Sequence, residues 1–399
     1  MRITYDPTPG LQRAFEQNVS IRTLINPNTE EILDDPSPDR APLRFHRRLP
    51  GYEETPLVDA PKLAGALGVG KVFVKDESSR LGLPAFKVLG ASWAVYRALE
   101  ERLGQGFGDW EEIWELREYL EPLRPLSLVA ATDGNHGRAM AWVARLLGLG
   151  AKIFVPDGMA PARRKSISDE GAEVIVVDGT YDEAVERSAA EEGENTLLVS
   201  DMSWPGYERI PLWVIEGYST MLWEIDDALE RRNEEGPDLV VVQVGVGAFA
   251  AAVARHFRRP EASPPPKLMS VEPVSADCLL ESITAGRLMS VPGPHDSVMS
   301  GLNCGRPSLV AWPTVFRGID LLVTIDDGPA REAVRLAAES GIESGETGAA
   351  GLGGLLELLR AGEEEKTRRA LGVGEETRVL LFNCEGATDP DAYRMIMAG

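Results

Sequence analysis

The stretch PDLVVVQVGVGAFAAAVARHF (residues 237–257) joins two sequence patterns without a gap. Its first part is a nearly continuous apolar run rich in valine, which is typical of a strand buried on both faces of a sheet. Its second part, after Gly247, is rich in alanine and has helical spacing. A buried strand that leads directly into a helix is the building unit of a parallel sheet, so this stretch predicts an α/β fold.

The same alternation of strand and helix recurs through most of the chain. The most regular predicted strand–helix units cover residues 126–148, 151–171 and 172–193. Repeated units of this kind predict mostly parallel sheets with helices on both faces.

The length of 399 residues favours two lobes over a single core. The short strand–helix units between residues 128 and 201 indicate a lobe inserted within a larger sheet. We predict a small lobe of residues 91–205 and a large lobe of residues 1–90 and 206–399. The first fifty residues show no clear period, and we expect them to form an extended arm over the body.

Composition and charge exclude several classes of function. The net charge of −22 argues against binding to nucleic acid or to an anionic membrane, because phosphates require a basic surface. Cys278, Cys304 and Cys384 lie far apart and the four histidines lack paired spacing, so we predict neither a disulfide framework nor a metal site. The sequence shows no signal peptide and no run of apolar residues long enough for a membrane span, which predicts a cytoplasmic protein.

The glycine turn of the opening stretch is the first candidate binding site. In open α/β sheets, ligands lie beyond the carboxyl ends of the strands. Glycine allows the backbone to approach a ligand, and a helix start offers free N–H groups to an anion such as phosphate. The turn matches neither G-x-x-x-x-G-K-[ST] nor a full G-x-G-x-x-G, which disfavours nucleotides. A plain tight turn between strand and helix remains the alternative.

A second candidate is the turn ATDGNHGRA (131–139), where Asp133, Asn135 and His136 are crowded between glycines. The alternative is a helix N-cap built from Asp and Asn.

A third candidate is the predicted strand end LLFNCEGATDP (380–390), where Asn383, Cys384 and Glu385 follow the apolar run; Cys384 could equally be a small core residue. A fourth candidate is the glycine-rich stretch SGETGAAGLGGL (344–355) before a predicted helix, which could equally serve packing.

Lys87 lies in the largely apolar stretch PAFKVLGAS (84–92). A lysine usually places its charged end in solvent. A lysine held in a pocket can instead act as an amine nucleophile, which requires burial and polar support. We expect Gly90 to keep the following helix slim near a bound group.

In order from Lys87 to Cys384, these stretches resemble the fold-type II pyridoxal phosphate enzymes, the family of threonine dehydratase and cysteine synthase. The resemblance implies a two-lobed fold, with pyridoxal 5′-phosphate bound to Lys87 as a Schiff base and with Asn135 at the ring hydroxyl. It implies that the pyridine nitrogen faces Cys384. The phosphate is expected to contact residues Gly245, Val246, Gly247, Ala248 and Phe249.

Within that family the chain resembles the diaminopropionate ammonia-lyases. Threonine dehydratases usually carry Ser or Ala where this chain has Asp133. The resemblance implies that Asp133 and Asp201 transfer protons for the D- and L-substrates, respectively; Asp201 could alternatively be a turn residue. Two residues depart from the pattern of the resembled lyases. Those enzymes have a hydroxyl residue at the position of Cys384, and smaller residues are expected at the position of Phe249. The segments that carry the resemblance include KDESSRLGLPAFKVLGAS, ATDGNHGRAMAW, DMSWPGYERIPLWVIEGY, SGETGAAGLG and EGATDPDAYR.

The resemblance implies α,β-elimination of 2,3-diaminopropionate, giving pyruvate and ammonia, by a homodimer. One alternative is a serine or threonine dehydratase, or a β-replacement enzyme, of the same fold. Another is a non-catalytic homologue that binds pyridoxal phosphate. The presence of Lys87, Asn135 and both aspartates favours an enzyme, because a binding protein has no need of two candidate bases.

Overall fold

The structure of the protein is a computed structural model. It describes residues 21–33, 39–132, 134–262, 264–360, 369 and 371–399.

The strands are numbered in chain order. Their bounds are β1 Ile21–Ile25, β2 Leu57–Asp59, β3 Lys71–Asp76, β4 Ser127–Ala131, β5 Gly150–Pro156, β6 Glu173–Val177, β7 Thr196–Leu198, β8 Leu239–Gln243, β9 Lys267–Pro273, β10 Leu321–Ile325 and β11 Arg378–Asn383.

The α-helices are numbered in the same way. Their bounds are α1 Ala41–His46, α2 Pro61–Leu67, α3 Lys87–Leu103, α4 Leu116–Tyr119, α5 Asn135–Leu147, α6 Pro161–Asp169, α7 Tyr181–Ala189, α8 Arg209–Arg232, α9 Ala248–Phe257, α10 Cys278–Ala285, α11 Trp312–Gly318, α12 Asp327–Glu339, α13 Glu346–Arg360 and α14 Pro390–Ala398.

In the described part of the chain, the strands form a seven-stranded and a four-stranded sheet. The larger sheet has the order β1-β10-β9-β8-β11-β3-β2, and its five central strands are parallel. The smaller sheet has the order β6-β5-β4-β7 and is parallel throughout. The predicted α/β architecture with mostly parallel sheets is therefore present.

Helices cover both faces of the larger sheet, as the sequence predicts. Val241 and Val271 point to one face, where they pack in a cluster with residues of α2, α12 and α13. Val240 and Leu268 point to the other face, where residues of α3, α8 and α9 complete the cluster. The alternation of neighbouring residues between two apolar layers explains why these strands read as continuous apolar runs.

The two outermost strands of the larger sheet lie in segments for which the sequence predicted no strand. β1 pairs antiparallel with β10, and β2 pairs antiparallel with β3. The segment expected to be an extended arm thus contains a sheet strand and helix α1 within its described part. These elements are short, so their sequences give no clear period.

Gly90 has a different task from the one expected from the sequence. A Cβ atom at Gly90 would lie 2.6 Å from Cε1 of Tyr218 and 2.7 Å from Cγ1 of Val214. A Cβ atom at Gly217 would lie 2.4 Å from the carbonyl oxygen of Leu89. The two glycines allow α3 and α8 to cross closely, and this contact fixes the helix that begins at Lys87.

Residues 91–205 contain the whole smaller sheet, but α3 contacts both α5 beside that sheet and α8 beside the larger one. The predicted lobe boundaries therefore stay a prediction. Among the described residues, none of the helices combines the length and apolar character that a membrane span requires.

Candidate active site

The carboxyl ends of strands from both sheets lead to one cavity. The space in this cavity is about 690 Å³, a value that includes its opening to solvent. The predicted site residues along its wall are Lys87, Asn135, Asp201, Gly245, Val246, Gly247, Ala248, Phe249 and Cys384.

Lys87 is the first residue of α3 and points into this cavity. Its Nζ atom lies 2.7 Å from Oδ2 of Asp201. The lysine side chain is 23% exposed and the aspartate side chain 7% exposed. Lys87 is thus a pocket lysine with an anionic partner rather than a surface residue.

The charge of Asp201 depends on its neighbours. Burial raises the pKa of Asp201, but the positive charge of Lys87, followed by His136, lowers it more strongly, and the pKa falls to about 2. Tyr181 lies close by, with its hydroxyl 3.5 Å from Oδ1 of Asp201. Asp201 is therefore a carboxylate at neutral pH and belongs to the cavity rather than to a surface turn.

The polar turn before α5 brings Asn135 to the cavity. The N–H of Gly134 donates to Oγ1 of Thr132 at 2.8 Å, which fixes the turn, and α5 begins at Asn135. The Nδ2 atom of Asn135 donates to Oε2 of Glu385. Asp133, the other predicted residue of this turn, lies outside the described residues.

His136 is turned away from the cavity wall. It is buried, and its Nε2 atom lies 2.9 Å from the carbonyl oxygen of Val199. Burial lowers the pKa of His136. Its position is that of a core histidine that links α5 to the chain after β7.

The glycine turn after β8 has the geometry expected of an anion cradle. The backbone angle φ of Gly247 is +92°, a value that residues other than glycine rarely adopt. Helix α9 begins at the next residue. A Cβ atom at Gly245 would lie 3.0 Å from the carbonyl oxygen of Gly301 and 3.2 Å from Sγ of Cys304. The first N–H groups of α9 have no acceptor within the helix, so they are available to a ligand.

The side chain of Phe249 belongs to the core beside the turn. Its ring packs 4.7 Å from the ring of Phe86 and 5.0 Å from that of Phe382, measured between centroids. The Phe249 side chain, which is larger than the residue expected at this position, thus packs α9 against β11 and the start of α3. The backbone of the turn keeps its access to the cavity.

Cys384 follows β11 directly and has a buried free thiol in the cavity wall. Burial, and next the negative charge of Glu385, raise the pKa of the Cys384 thiol. The thiol is therefore protonated at neutral pH and can act as a weak hydrogen-bond donor.

Four further polar residues of the same wall were not predicted as site residues: Tyr181, Gln243, Thr347 and Glu385. Gln243 ends β8, and its Nε2 atom donates to the carbonyl oxygen of Phe382 at 3.0 Å. Its position at a strand end could have indicated it. Glu385 adjoins Cys384 in a stretch that the sequence had already indicated. Tyr181 gave no signal, because it begins an ordinary helix.

The family described as "Pyridoxal-phosphate dependent enzyme" matches residues 48–373, so the chain belongs to that family. The predicted cofactor class is thereby confirmed. No group of three or more His, Cys, Asp or Glu side chains suited to a metal ion occurs among the described residues.

Within this family, the chain is similar to enzymes of one particular activity. Diaminopropionate ammonia-lyase of Salmonella typhimurium is 36% identical over 89% of this chain and 90% of its own length. The enzyme of the same name from Escherichia coli strain K12 is 35% identical over 89% of each chain. The crystal structure of the Escherichia coli enzyme with D-serine has a TM-score of 0.87 at 31% identity and covers 94% of this chain and 96% of that one. The predicted resemblance and the predicted fold-type II architecture are confirmed.

The residues present suit pyridoxal phosphate. The cavity offers an amine at Lys87, a glycine turn with free helix N–H groups for a phosphate, and a protonated thiol at Cys384 for a ring nitrogen. Oε1 of Gln243, in the same wall, is buried without a hydrogen-bond partner among the described residues and could accept a hydrogen bond from a ligand.

Proposed function

We propose that this protein is a pyridoxal phosphate-dependent ammonia-lyase that converts 2,3-diaminopropionate into pyruvate and ammonia. The observation that carries the proposal is the Lys87–Asp201 pair, 2.7 Å apart, in a cavity that also contains the glycine turn. Similarity to two diaminopropionate ammonia-lyases over 89% of this chain supports the choice of substrate.

We assign the cofactor contacts as the resemblance implies. Lys87 would hold the cofactor through its amine, Asn135 would contact the ring oxygen, and residues 245–249 would bind the phosphate. Cys384 would face the ring nitrogen as a neutral partner. When bound, pyridoxal phosphate supplies an electron sink for negative charge at the α-carbon of the substrate.

Asp201 is suited to proton transfer because its pKa depends on the charge of Lys87. While Lys87 is an ammonium ion, its charge holds the pKa of Asp201 at about 2, and Asp201 is a weak base. When the amine of Lys87 is neutral, that effect is lost and burial raises the pKa, which makes Asp201 a stronger base. We assign Asp201 to the L-substrate and Asp133 to the D-substrate.

The leaving amino group needs a proton to depart as ammonia. Lys87 Nζ and Asp201 Oδ2 share a hydrogen bond, so a proton taken from the substrate can pass between them without entering solvent. Tyr181 links this pair to a second, wider cavity that opens beside the first. We infer that substrate enters and ammonia leaves by this route.

The test is a substrate panel. Purified protein loaded with pyridoxal phosphate is offered D- and L-diaminopropionate, serine and threonine, and pyruvate, 2-oxobutyrate and ammonia are measured. We expect rapid turnover of diaminopropionate. Turnover of threonine without turnover of diaminopropionate would replace the proposal by a dehydratase. Tight cofactor binding without any turnover would indicate a binding protein.

We further propose that the protein acts as a homodimer in the cytoplasm, in amino-acid catabolism, with lobes of residues 91–205 and of residues 1–90 and 206–399. The family resemblance supports the dimer, and the thiols of Cys278, Cys304 and Cys384 suit a reducing cytoplasm. Light scattering of the purified protein tests the dimer, which a monomeric mass would exclude.

A further inference from the structure

The carboxylate of Glu385 has no task in the proposed function. Glu385 is 2% exposed and shares the cavity with Lys87. Carboxylates are seldom buried this deeply unless other groups hold them in place. Its contacts indicate what it does there.

One carboxylate oxygen of Glu385 holds the side chain of Asn135. The Nδ2 atom of Asn135 donates to Oε2 of Glu385, although the two residues are 250 positions apart in the chain. Asn135 begins α5 beside the smaller sheet, whereas Glu385 follows β11 of the larger sheet. The bond therefore joins the two sheets at the cavity.

The backbone of Glu385 is held in place at the cavity, whereas Oε1 of its side chain has no hydrogen-bond partner among the described residues. Gly345 donates its N–H to the carbonyl oxygen of Glu385 at 3.1 Å, and the backbone of Glu385 also bridges to Ala85. A Cβ atom at Gly345 would lie 3.0 Å from Oε1 of Glu385 and 2.6 Å from the carbonyl oxygen of Gly386. Glycine at 345 thus leaves the space that the carboxylate occupies.

A carboxylate determines which atom of a neighbouring amide group faces it. Its oxygens accept hydrogen bonds and cannot donate them, so Asn135 must turn its nitrogen, and not its oxygen, toward Glu385. The second N–H of the same nitrogen is then available on that side of the cavity. An amide held this way cannot flip to present its carbonyl oxygen instead.

We propose that Glu385 is a positioning residue that fixes the amide of Asn135, so that Asn135 presents an N–H to the ring oxygen of pyridoxal phosphate. The inference rests on the proposed function, in which Asn135 contacts that oxygen. A ring oxygen that carries negative charge is stabilised by a donor and repelled by a carbonyl oxygen. Glu385 and Asn135 then act as one unit in cofactor binding.

The test measures the affinity of the apoprotein for pyridoxal phosphate, followed by cofactor absorbance and by quenching of tryptophan fluorescence. Glu385→Gln keeps the size of the side chain but allows the Asn135 amide to turn over. We expect Glu385→Gln and Asn135→Ala each to weaken binding about tenfold, the effect of one hydrogen bond to a charged group. The double variant should also lose only about tenfold, because the two residues form one unit.

Two further variants keep the test decisive. Glu385→Asp retains the charge but is too short to reach Asn135, so it should behave like Glu385→Gln. Glu343→Gln removes an exposed carboxylate from the segment before α13 and should bind the cofactor like the unchanged protein. Thermal unfolding followed by circular dichroism confirms that each variant is folded.

Losses that multiply to about a hundredfold in the double variant would overturn the inference, because Glu385 would then act independently of Asn135. Unchanged binding by Glu385→Gln would overturn it as well, while the proposed function would stand. Failure of the unchanged protein to bind pyridoxal phosphate would instead overturn the proposed function, and the inference with it.

Discussion

The pairing of Lys87 with Asp201 lets one residue set the protonation of the other. Asp201 is buried, so without the lysine charge its pKa would rise. The pair therefore keeps a proton inside the cavity. In the proposed function, this proton passes between Lys87 and Asp201 as the charge of the lysine changes, and the arrangement serves proton transfer at the α-carbon of the substrate.

Substitution of the two aspartates should separate the enantiomers. Asp201→Asn should lower turnover of L-diaminopropionate by about 10²–10⁴-fold, the usual contribution of a general base, and should affect the D-substrate far less. Asp133→Asn should show the opposite preference. Steady-state kinetics with each enantiomer provide the measurement.

Asp178→Asn is the matched control, since it removes an exposed carboxylate that follows β6. It should leave turnover of both enantiomers unchanged. Equal losses on the two enantiomers in Asp133→Asn and Asp201→Asn would contradict the assignment of one base to each substrate face.

Among the residues that line the cavity, the sequence singled out those that lie in recognisable local motifs. Lys87 follows an aromatic residue, Asn135 lies in a polar glycine turn, and Gly247 ends a strand–helix turn. Glu385 was missed as a partner of Asn135, because a contact across 250 positions has no local pattern. The environment that lowers the pKa of Asp201 depends equally on the fold.

At the element scale, the crossing of α3 and α8 holds Lys87 in place. Gly90→Ala would place a methyl group 2.6 Å from Tyr218, and overpacking of this kind costs about 1–3 kcal/mol of unfolding free energy. Urea unfolding measures the loss. Gly65→Ala in α2 is the control: no atom lies within 4 Å of its Cβ position, so it should stabilise the protein by about 0.5–1 kcal/mol.

If Gly90→Ala were as stable as the unchanged protein, the close helix crossing would not exist as described. The sequence alone could not reveal this crossing. A glycine near a site can serve a ligand or a neighbouring helix, and only the position of Tyr218 decides between them.

His46 joins α1 to the same two helices. Its Nδ1 atom lies 2.6 Å from Oγ1 of Thr220 in α8, and its Nε2 atom lies 3.0 Å from the carbonyl oxygen of Leu89 in α3. Burial, assisted by the charge of Arg80, lowers the pKa of His46 from 6.5 to about 3. The folded protein therefore keeps this histidine neutral at mildly acidic pH.

This pKa shift predicts an acid-sensitive stability. Below pH 6.5 the unfolded chain binds a proton at His46 that the folded protein does not, so stability falls with pH until about pH 3. Between pH 6.5 and pH 5 the loss from this residue is about 2 kcal/mol. Urea unfolding at both pH values should show a smaller drop for His46→Gln than for the unchanged protein. Equal drops would contradict the assignment.

At the scale of the whole molecule, the site exists only because two sheets meet. Asn135 and Asp201 come from the segments that follow β4 and β7 of the smaller sheet, and the glycine turn and Cys384 from β8 and β11 of the larger sheet. Strand–helix alternation predicted both sheets. It did not predict the antiparallel strands β1 and β2, which are too short to show a period and are held by pairing with a distant edge.

We propose that the meeting of these sheets creates a lyase acting on a diamino acid. The stoichiometry of the reaction tests it most directly, because 2,3-diaminopropionate carries two amino groups and serine only one. Protein loaded with pyridoxal phosphate is given diaminopropionate, and ammonia and pyruvate are measured in the same sample, with Lys87→Ala as the inactive control. We expect two molecules of ammonia for each pyruvate and no product from Lys87→Ala. Pyruvate with a single ammonia, or equal activity of Lys87→Ala, would contradict it.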